Sequence, residues 1–401
     1  MAISYQCLAG QYLQLLLILT FKFIVKYTQQ ILLLFILLFL GSCTSQFIPQ
    51  TSEDKQILVV EGLITDQPGP YIIKLTRSLP LGVKSNATPV KGCTVSISDD
   101  IGNSYFLAET AAGVYLTDSS QFKGSIGRFY TLHINTNTTG SNHTYESTPT
   151  ELKPVPPIDS VYYEKVTIQA GTNTSAAEEG CQVYLNTQDP ANQCKYYRWE
   201  FTETWEFILP YAVPNKICWI SANSNMINIK NTSAISEDKI LRYPLNFVSN
   251  QTDRLKVKYS ILVNQYSLNE DEYQYWDKLQ SMSQQVGSLY DIIPSSVSSN
   301  INCLDNPNEK VLGYFSVSSR SSKRIFVKDH FAGMPNPYSA DNCIADTISG
   351  GEPLPPGLNS TVWIIITSLV PPYVVTTYSK GCYDCTVRGT NVEPSFWTDN
   401  K

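Results

Sequence analysis

After residue 57 the chain consists largely of short runs of β-branched and aromatic residues separated by Gly, Pro, Asn and Asp. Runs of this length, broken by turn residues, are typical of the strands of a β-sandwich. In Thr94–Ser98 and Tyr130–Ile134 apolar and polar residues alternate, so each strand is expected to bury one face. The sequence therefore predicts a mainly β protein that opens with an immunoglobulin-like sandwich over residues 57–150. The predicted strands are Ile57–Ile64, Tyr71–Thr76, Thr94–Ser98, Ser104–Leu107, Gly113–Leu116, Phe129–Asn135 and Thr144–Ser147.

A Pro-rich segment, residues 151–160, separates this region from a larger β-rich domain over residues 161–401. Its prolines stiffen the chain and remove backbone donors, which is typical of a linker. The second domain is predicted to carry one helix near residues 268–286, with Ser267 and Glu270 forming a capping box at its start. A late hairpin is also predicted, from Val311–Ser319 and Arg324–Lys328.

The densest aromatic stretch is Tyr196–Phe207, in which Tyr197, Trp199 and Trp205 fall on one face of a predicted strand. One interpretation places that face in a hydrophobic core. The other makes it a candidate ligand surface, because rigid aromatic side chains offer a large contact area at a small entropy cost. Glu203 interrupts the aromatic face, and a carboxylate is unusual in a dry core. The sequence therefore predicts that the face is partly wet or that the strand bends there.

The apolar run Ile31–Leu40 is followed by two small residues and Cys43. The run is too short for a membrane-spanning helix, which needs about 20 apolar residues, and has the length of a signal-peptide core. Leu40-Gly41-Ser42-Cys43 resembles a bacterial lipobox, which predicts a signal peptide over residues 1–42, lipidation of Cys43 and a polar tether over residues 43–56. A buried or signal-anchor helix with an incidental cysteine is the alternative.

The charge of the chain argues against nucleic acid as a partner. Residues 1–42 contain Lys22 and Lys26 and no acid, so their removal changes the net charge from −6 to −8. A negative chain repels nucleic-acid phosphates and anionic lipid headgroups. The predicted route to a membrane is therefore the lipid anchor. Thr44–Phe47 carries no acidic cluster of the kind that directs lipoproteins to the cell surface, so periplasmic and surface-facing placements both stay open.

Of the ten cysteines, eight follow Cys43. In an oxidising compartment they are interpreted first as disulfides, although eight cysteines allow 105 pairings. The spacing Cys382-Tyr383-Asp384-Cys385 is the one local pattern. It predicts a structural role, in which one or both cysteines pair with Cys343 or the two pair with each other. A redox pair or half of a zinc site is the alternative.

The sequence lacks the motifs that mark many catalytic centres. It contains no Gly-rich phosphate loop, no His-Glu-x-x-His pair, no Gly-x-Ser-x-Gly elbow and no calcium loop. The three histidines, His133, His143 and His330, stand in scattered contexts, which argues against a histidine-based triad or metal site. His133 falls on the polar phase of its predicted strand, which favours a solvent-facing position. The sequence predicts a protein that is not an enzyme and carries no metal or cofactor.

Several short motifs resemble one lipoprotein family. They are Val59-Val60-Glu61-Gly62-Leu63-Ile64-Thr65-Asp66, Pro89-Val90 with Cys93-Thr94-Val95, Pro156-Pro157-Ile158-Asp159-Ser160-Val161, Val311-Leu312-Gly313-Tyr314-Phe315, and Cys382-Tyr383-Asp384-Cys385 with Pro394-Ser395-Phe396-Trp397. In this combination the chain resembles the Bacteroidota lipoproteins grouped as domain of unknown function 4249. The resemblance implies the company of TonB-dependent outer-membrane transporters, beside which such lipoproteins are often encoded. It implies no catalytic residues, because the family defines none.

Together these features predict an outer-membrane-anchored lipoprotein that acts as a non-catalytic accessory or ligand-binding partner of a TonB-dependent transporter. The alternative is a structural or adhesive protein of the cell envelope, which would bring neither a transporter nor a small ligand with it. A third hypothesis is an uncharacterised hydrolase. Glu200, Glu203 and Glu206 on the aromatic strand would supply its carboxylates, but paired carboxylates are too common to carry that assignment.

Overall fold

Strands dominate the described part of the chain, and the mainly β fold class predicted from the sequence is confirmed. Cys43 and Cys343 lie outside the described residues. One α-helix is present in the described part, and no helix there has the length and hydropathy of a membrane span. The computed structural model describes residues 56–79, 86–138, 141–169, 177–209, 215–285, 297–331, 345–349, 363–367, 373–377, 380–382 and 384–397.

Short strands joined by tight turns fill the first part of the chain, and longer strands follow. The first ten are β1 (Leu58–Ile64), β2 (Ile72–Arg77), β3 (Thr88–Pro89), β4 (Thr94–Asp99), β5 (Ser104–Phe106), β6 (Ala108–Ala111), β7 (Val114–Leu116), β8 (Phe129–Thr138), β9 (Ser141–Ser147) and β10 (Thr150–Glu151). The next are β11 (Ile158–Gln169), β12 (Ala177–Gln188), β13 (Tyr196–Ile208), β14 (Ile217–Asn223), β15 (Asn228–Asn231), β16 (Lys239–Ser249) and β17 (Lys258–Ser267). The last are helix α1 (Glu270–Gln285), β18 (Ile301–Cys303), β19 (Val311–Val317), β20 (Arg320–Val327), β21 (Ala345–Ser349), β22 (Trp363–Thr367) and β23 (Tyr373–Thr377).

The first sandwich consists of two sheets around one hydrophobic core. One sheet has the order β19-β1-β2-β7-β6, with β3 beside β2, and the other has the order β18-β9-β8-β4-β5, with β10 beside β8. Alternate residues of β1 and β4 point inward, so Leu58, Val60, Val95 and Ile97 are buried in this core. The period-two alternation in the sequence therefore reports the buried face correctly.

Two strands from late in the sequence complete this sandwich, which the sequence had placed within residues 57–150. β18 pairs with β9, and β19 pairs in parallel with β1, where Leu58 lies opposite Val311. β20 pairs with β17 in another sheet. The predicted hairpin of Val311–Ser319 with Arg324–Lys328 is therefore wrong. Both runs are strands, but they lie in different sheets. The partner of β19 is the parallel strand β1, and no tight turn connects parallel strands in the sequence.

The second part of the chain forms two further sheets with a core of their own. Their orders are β11-β12-β16 and β14-β13-β17-β20, with β15 beside β13. Their inward-facing side chains form the second hydrophobic core. β21, β23 and β22 form a separate three-stranded sheet.

Helix α1 lies against β13 and β15 and occupies almost the predicted range. Its start differs from the prediction. Ser267 is the last residue of β17, and its hydroxyl donates to the carbonyl oxygen of Lys153 at 2.6 Å. The predicted capping box of Ser267 and Glu270 is therefore wrong, because the strand continues to the residue that was expected to cap the helix.

A disulfide joins Cys218 of β14 to Cys385, which lies 167 positions later in the sequence. Cys385 is therefore bonded neither to Cys382 nor to Cys343, which excludes the predicted bond between Cys382 and Cys385. Cys382 is disulfide-bonded as well, so both cysteines have the predicted structural role. The bond holds the C-terminal residues 384–397 beside β13 and β14. Trp219 and Thr390 exchange two backbone hydrogen bonds of 2.9 Å, and the Trp397 indole donates to Glu206 at 3.0 Å.

Candidate functional site

The aromatic residues predicted as a candidate ligand surface lie inside the second core. Tyr197 and Trp199 are fully buried, and Trp205 is 9% exposed. They pack with side chains of β12 and β16, because β13 is an inner strand whose aromatic face is covered. The ligand-surface interpretation is therefore wrong for these three side chains, and the core interpretation describes them.

Glu203, the carboxylate on the same face, is buried but fully partnered. The Tyr259 hydroxyl donates to it at 2.6 Å, and the Asn246 amide donates at 3.2 Å. Arg254 Nη1 lies 3.0 Å from Glu203 Oε2. A buried carboxylate needs such partners, and β13 continues through Glu203 without interruption. Nothing in the sequence marked Arg254 as the partner, because this residue comes from a turn before another strand.

Trp199 is linked through a buried amide to the surface of the protein. Its indole donates to Gln265 Oε1 at 2.8 Å. The Gln265 amide in turn donates to the Pro156 carbonyl oxygen at 2.9 Å and to the Thr187 hydroxyl at 3.0 Å. The Pro-rich segment is therefore hydrogen-bonded to the core, and one of the predicted ligand residues holds it in place from beneath.

The surface above this link contains a groove with a volume of about 480 Å³. We call it the proline groove. Apolar atoms of Val155, Pro157 and Pro190 line it, together with the exposed amide of Gln193. Its volume is within the range of sites that take small ligands. Because proline backbones are stiff, the walls of this groove are preformed.

A second groove, of about 400 Å³, lies on the other side of the same loop. We call it the polar groove, since it is lined by Asn192, Glu237, Asp238 and Lys239 among others. Asp238 accepts hydrogen bonds from the Tyr197 hydroxyl at 3.0 Å and from the Thr232 hydroxyl at 2.9 Å. Burial raises the pKa of the Asp238 carboxyl. A second predicted ligand residue, Tyr197, thus supports this groove from the core.

The loop between the grooves is shaped by Asp189. Its carboxylate accepts hydrogen bonds from the backbone N–H groups of Ala191, Gln193 and Cys194 at 3.1, 2.7 and 2.8 Å. Side chains of this type fix turns through such bonds. The loop is therefore held in one conformation.

Chemically, the grooves offer apolar walls and exposed hydrogen-bonding groups. Glu237 and Lys239 are exposed. The Asp189 carboxylate and Asp238 Oδ1 are engaged by the fold, whereas Asp238 Oδ2 is buried without a hydrogen-bond partner among the described residues. Burial raises the pKa of the nearby Cys194 thiol to about 12, so this sulfur stays protonated at neutral pH. The arrangement suits the recognition of a ligand or a protein segment.

The opposite face of β13 carries a buried cation that sequence reasoning did not identify. The Arg198 guanidinium lies 4.1 Å from the Trp276 ring centroid and 5.3 Å from that of Tyr266, and it pairs with Glu200. Glu272 of α1 is 1% exposed, and burial raises the pKa of its carboxyl. Glu272 lies in the first turn of α1, and nothing in the sequence marked it as buried.

The sequence matches the family described as Domain of unknown function (DUF4249) over residues 44–324. The chain belongs to this family. No curated protein matches the sequence. The DUF4249 match begins at the residue after Cys43 and ends within β20, so both grooves, β13 and its buried partners lie inside it. The C-terminal disulfide partner Cys385 follows the matched range.

Proposed function

We propose that this DUF4249 protein is anchored to the outer membrane by a lipid on Cys43 and acts as a non-catalytic, ligand-binding accessory of a TonB-dependent transporter. The observation that carries the proposal is the lipobox-like Leu40-Gly41-Ser42-Cys43, with the family match beginning at residue 44. A diacylglyceryl group and one N-linked acyl chain supply three chains. At about 0.8 kcal/mol per buried CH₂ group, these form a stable anchor.

The distance between the anchor and the folded part favours a partner in the same membrane. Fully extended, the chain from Cys43 to Leu58 spans at most about 50 Å. A domain on so short a connection has a high effective concentration for other proteins of that membrane. The link to a TonB-dependent transporter rests on family membership, since the resemblance implies that such lipoproteins are often encoded beside these transporters.

The paired grooves support a binding role. Their walls are held from the core by Trp199 through Gln265 and by Tyr197 through Asp238. Preorganised sites lose less entropy when they bind. We therefore assign the loop 188–193 and the two grooves beside it as the surface that contacts the ligand or the barrel.

Purification of the tagged full-length protein from detergent-solubilised outer membranes tests this proposal. A TonB-dependent barrel in stoichiometric amount, identified by mass spectrometry, is the expected result. A Cys43→Ala variant is the control, because it is expected to lose both membrane association and the barrel. Recovery of the wild-type lipoprotein alone would contradict the accessory role and favour the structural or adhesive alternative.

A pair of charge reversals tests the groove assignment. Lys239→Glu changes the polar groove, whereas Lys74→Glu changes another exposed lysine, on β2 of the first sandwich. Exposed substitutions of this kind usually alter stability by less than about 0.5 kcal/mol. We expect less of the TonB-dependent barrel to co-purify with the Lys239→Glu protein, and the wild-type amount to co-purify with the Lys74→Glu protein. Equal recovery from both variants would remove the grooves as the barrel contact.

A further inference from the structure

A histidine, a cysteine and a glutamate from separate segments meet at one end of the first sandwich. His143 lies on β9, Cys303 ends β18, and Glu309 lies in the loop from β18 to β19. Their nitrogen, sulfur and carboxylate oxygen atoms all lie within 4.8 Å of one another. Cys303 is 3% exposed, and the imidazole and carboxylate are each about one-quarter exposed. Strand pairing brings the cluster together, because Cys303 is opposite Tyr145, two residues after the histidine.

The distances match those of ligands around one metal ion. His143 Nδ1 is 3.7 Å from Cys303 Sγ and 3.7 Å from Glu309 Oε2. Tetrahedral zinc with bonds of about 2.0–2.3 Å separates such ligand atoms by roughly 3.5 Å. Two of the three ligand pairs are therefore within a few tenths of an ångström of this spacing, and Cys303 Sγ lies within 4.8 Å of the Glu309 carboxylate.

The cluster differs in geometry from a catalytic triad, because Cys303 and Glu309 both approach the same ring nitrogen of His143. In a triad the base uses one nitrogen toward the nucleophile and the other toward the orienting acid. Here the thiol and the carboxylate both approach Nδ1 of His143, which can offer only one proton or one lone pair. A cation placed between the three groups would satisfy the nitrogen, the sulfur and the oxygen together.

The groups around the cluster already orient its members. The Tyr145 hydroxyl, on a fully buried side chain, donates to Glu309 Oε1 at 2.5 Å and leaves Oε2 directed at the histidine. Backbone N–H groups of Asp305 and Asn306 hydrogen-bond to the Cys303 sulfur, although burial raises the pKa of this thiol overall. Outer hydrogen bonds of this kind orient the ligands in metal sites.

We propose that His143, Cys303 and Glu309 form a site for a single zinc-class divalent cation, with a fourth position open to water or an external ligand. Imidazole and thiolate ligands favour zinc over calcium or magnesium, which prefer all-oxygen sites. The ion would tie the loop 304–310 to β9. The proposal differs from the sequence-based expectation of no metal site, because the strand pairing that unites His143 and Cys303 has no counterpart in their spacing.

Cobalt substitution of the full-length, detergent-solubilised protein with reduced thiols tests the site. We expect one Co²⁺ per chain, with a thiolate-to-cobalt charge-transfer absorption and the intense visible bands of tetrahedral cobalt. Zinc affinity is then measured by competition with a chromophoric chelator. Cys303→Ser is expected to abolish the charge-transfer band and to weaken zinc binding by more than about 100-fold. Tyr145→Phe, which loses only an outer hydrogen bond, is expected to weaken it by about 10-fold.

Two variants control for other ligands in the same sandwich. His133→Gln removes a second histidine near a carboxylate, where Nδ1 is 3.3 Å from Glu146, and Cys93→Ser removes a half-buried free thiol. Both are expected to keep the wild-type spectrum and zinc affinity. Glu309→Gln retains the shape of the side chain and is the second test variant in case Cys303→Ser fails to fold. It is expected to lower the zinc affinity. Absence of the charge-transfer band in the folded wild-type protein, or zinc affinity unchanged in Glu309→Gln, would overturn the proposal.

Discussion

Arg254 Nη1 lies 3.0 Å from Glu203 Oε2, so the carboxylate on the aromatic face of β13 is neutralised from a segment 51 residues later. Glu203 is buried, whereas the Arg254 side chain is one-third exposed and covers it from the solvent side. This pair makes it possible for a central strand to carry a carboxylate between Phe201 and Trp205 without a break in the sheet.

Arg254→Met is expected to lower the free energy of unfolding by about 3 kcal/mol, because it leaves a carboxylate in the core without its cation. Urea unfolding followed by tryptophan fluorescence measures the loss. The double variant with Glu203→Gln should recover much of it, since the uncompensated charge is then gone. A loss of less than about 0.5 kcal/mol in Arg254→Met would contradict the role assigned to the pair.

Gly313→Ala is expected to disrupt the pairing of β19 with β1. Gly313 has φ of +86°, and an added Cβ would lie 2.0 Å from the carbonyl oxygen of Val60. Gly92→Ala is the matched control, because Gly92 also has a positive φ, of +70°, but open space around it. The control should lose about 1–2 kcal/mol of stability from backbone strain alone, and Gly313→Ala clearly more. Equal losses in thermal unfolding would argue against the close β1–β19 contact.

Cys385→Ser is expected to release the C-terminal residues 384–397 from β14. In the chain-entropy picture a disulfide that closes a loop of 167 residues contributes about 5 kcal/mol. Hydrogen exchange should show faster exchange at Trp219 and Thr390, whose mutual backbone bonds depend on this attachment. Cys93→Ser, at a free and partly exposed cysteine, should leave exchange there unchanged. Unaltered protection in Cys385→Ser would show that packing alone holds the segment.

Glu272→Gln is expected to stabilise the protein at neutral pH. Burial raises the pKa of this carboxyl above its ordinary value of 4.5, so the folded state disfavours the ionised form. The wild type should therefore gain stability relative to the variant as pH falls through the raised pKa, and the difference should vanish near pH 4.5. Parallel urea titrations between pH 4.5 and pH 8 measure it. A variant less stable than wild type throughout would show that the charge of Arg198 dominates.

Features encoded within one segment could be predicted from the sequence. The aromatic strand was predicted at Tyr196–Phe207 and lies at Tyr196–Ile208. The helix was predicted near residues 268–286 and lies at Glu270–Gln285. In both cases the periodicity of apolar side chains within a dozen residues carries the information.

Partners supplied by distant segments could not be predicted. Arg254 opposite Glu203, Cys218 opposite Cys385, and β19 beside β1 all join residues whose separation leaves no periodic or spacing pattern. The grooves were missed for the same reason. They arise where the Pro-rich segment crosses the loop after β12, and the aromatic residues that marked the region in the sequence lie one layer below the surface.

The parallel pairing of β1 with β19 sets an order for the biogenesis of the protein. The chain is made from its N-terminus, so β1 leaves the ribosome long before its neighbour β19 exists. Until then β1 presents an unsatisfied sheet edge, which can template pairing between nascent chains. Long-range pairing of this kind also slows folding. The first sandwich to be synthesised therefore cannot close until Val311–Val317 is available.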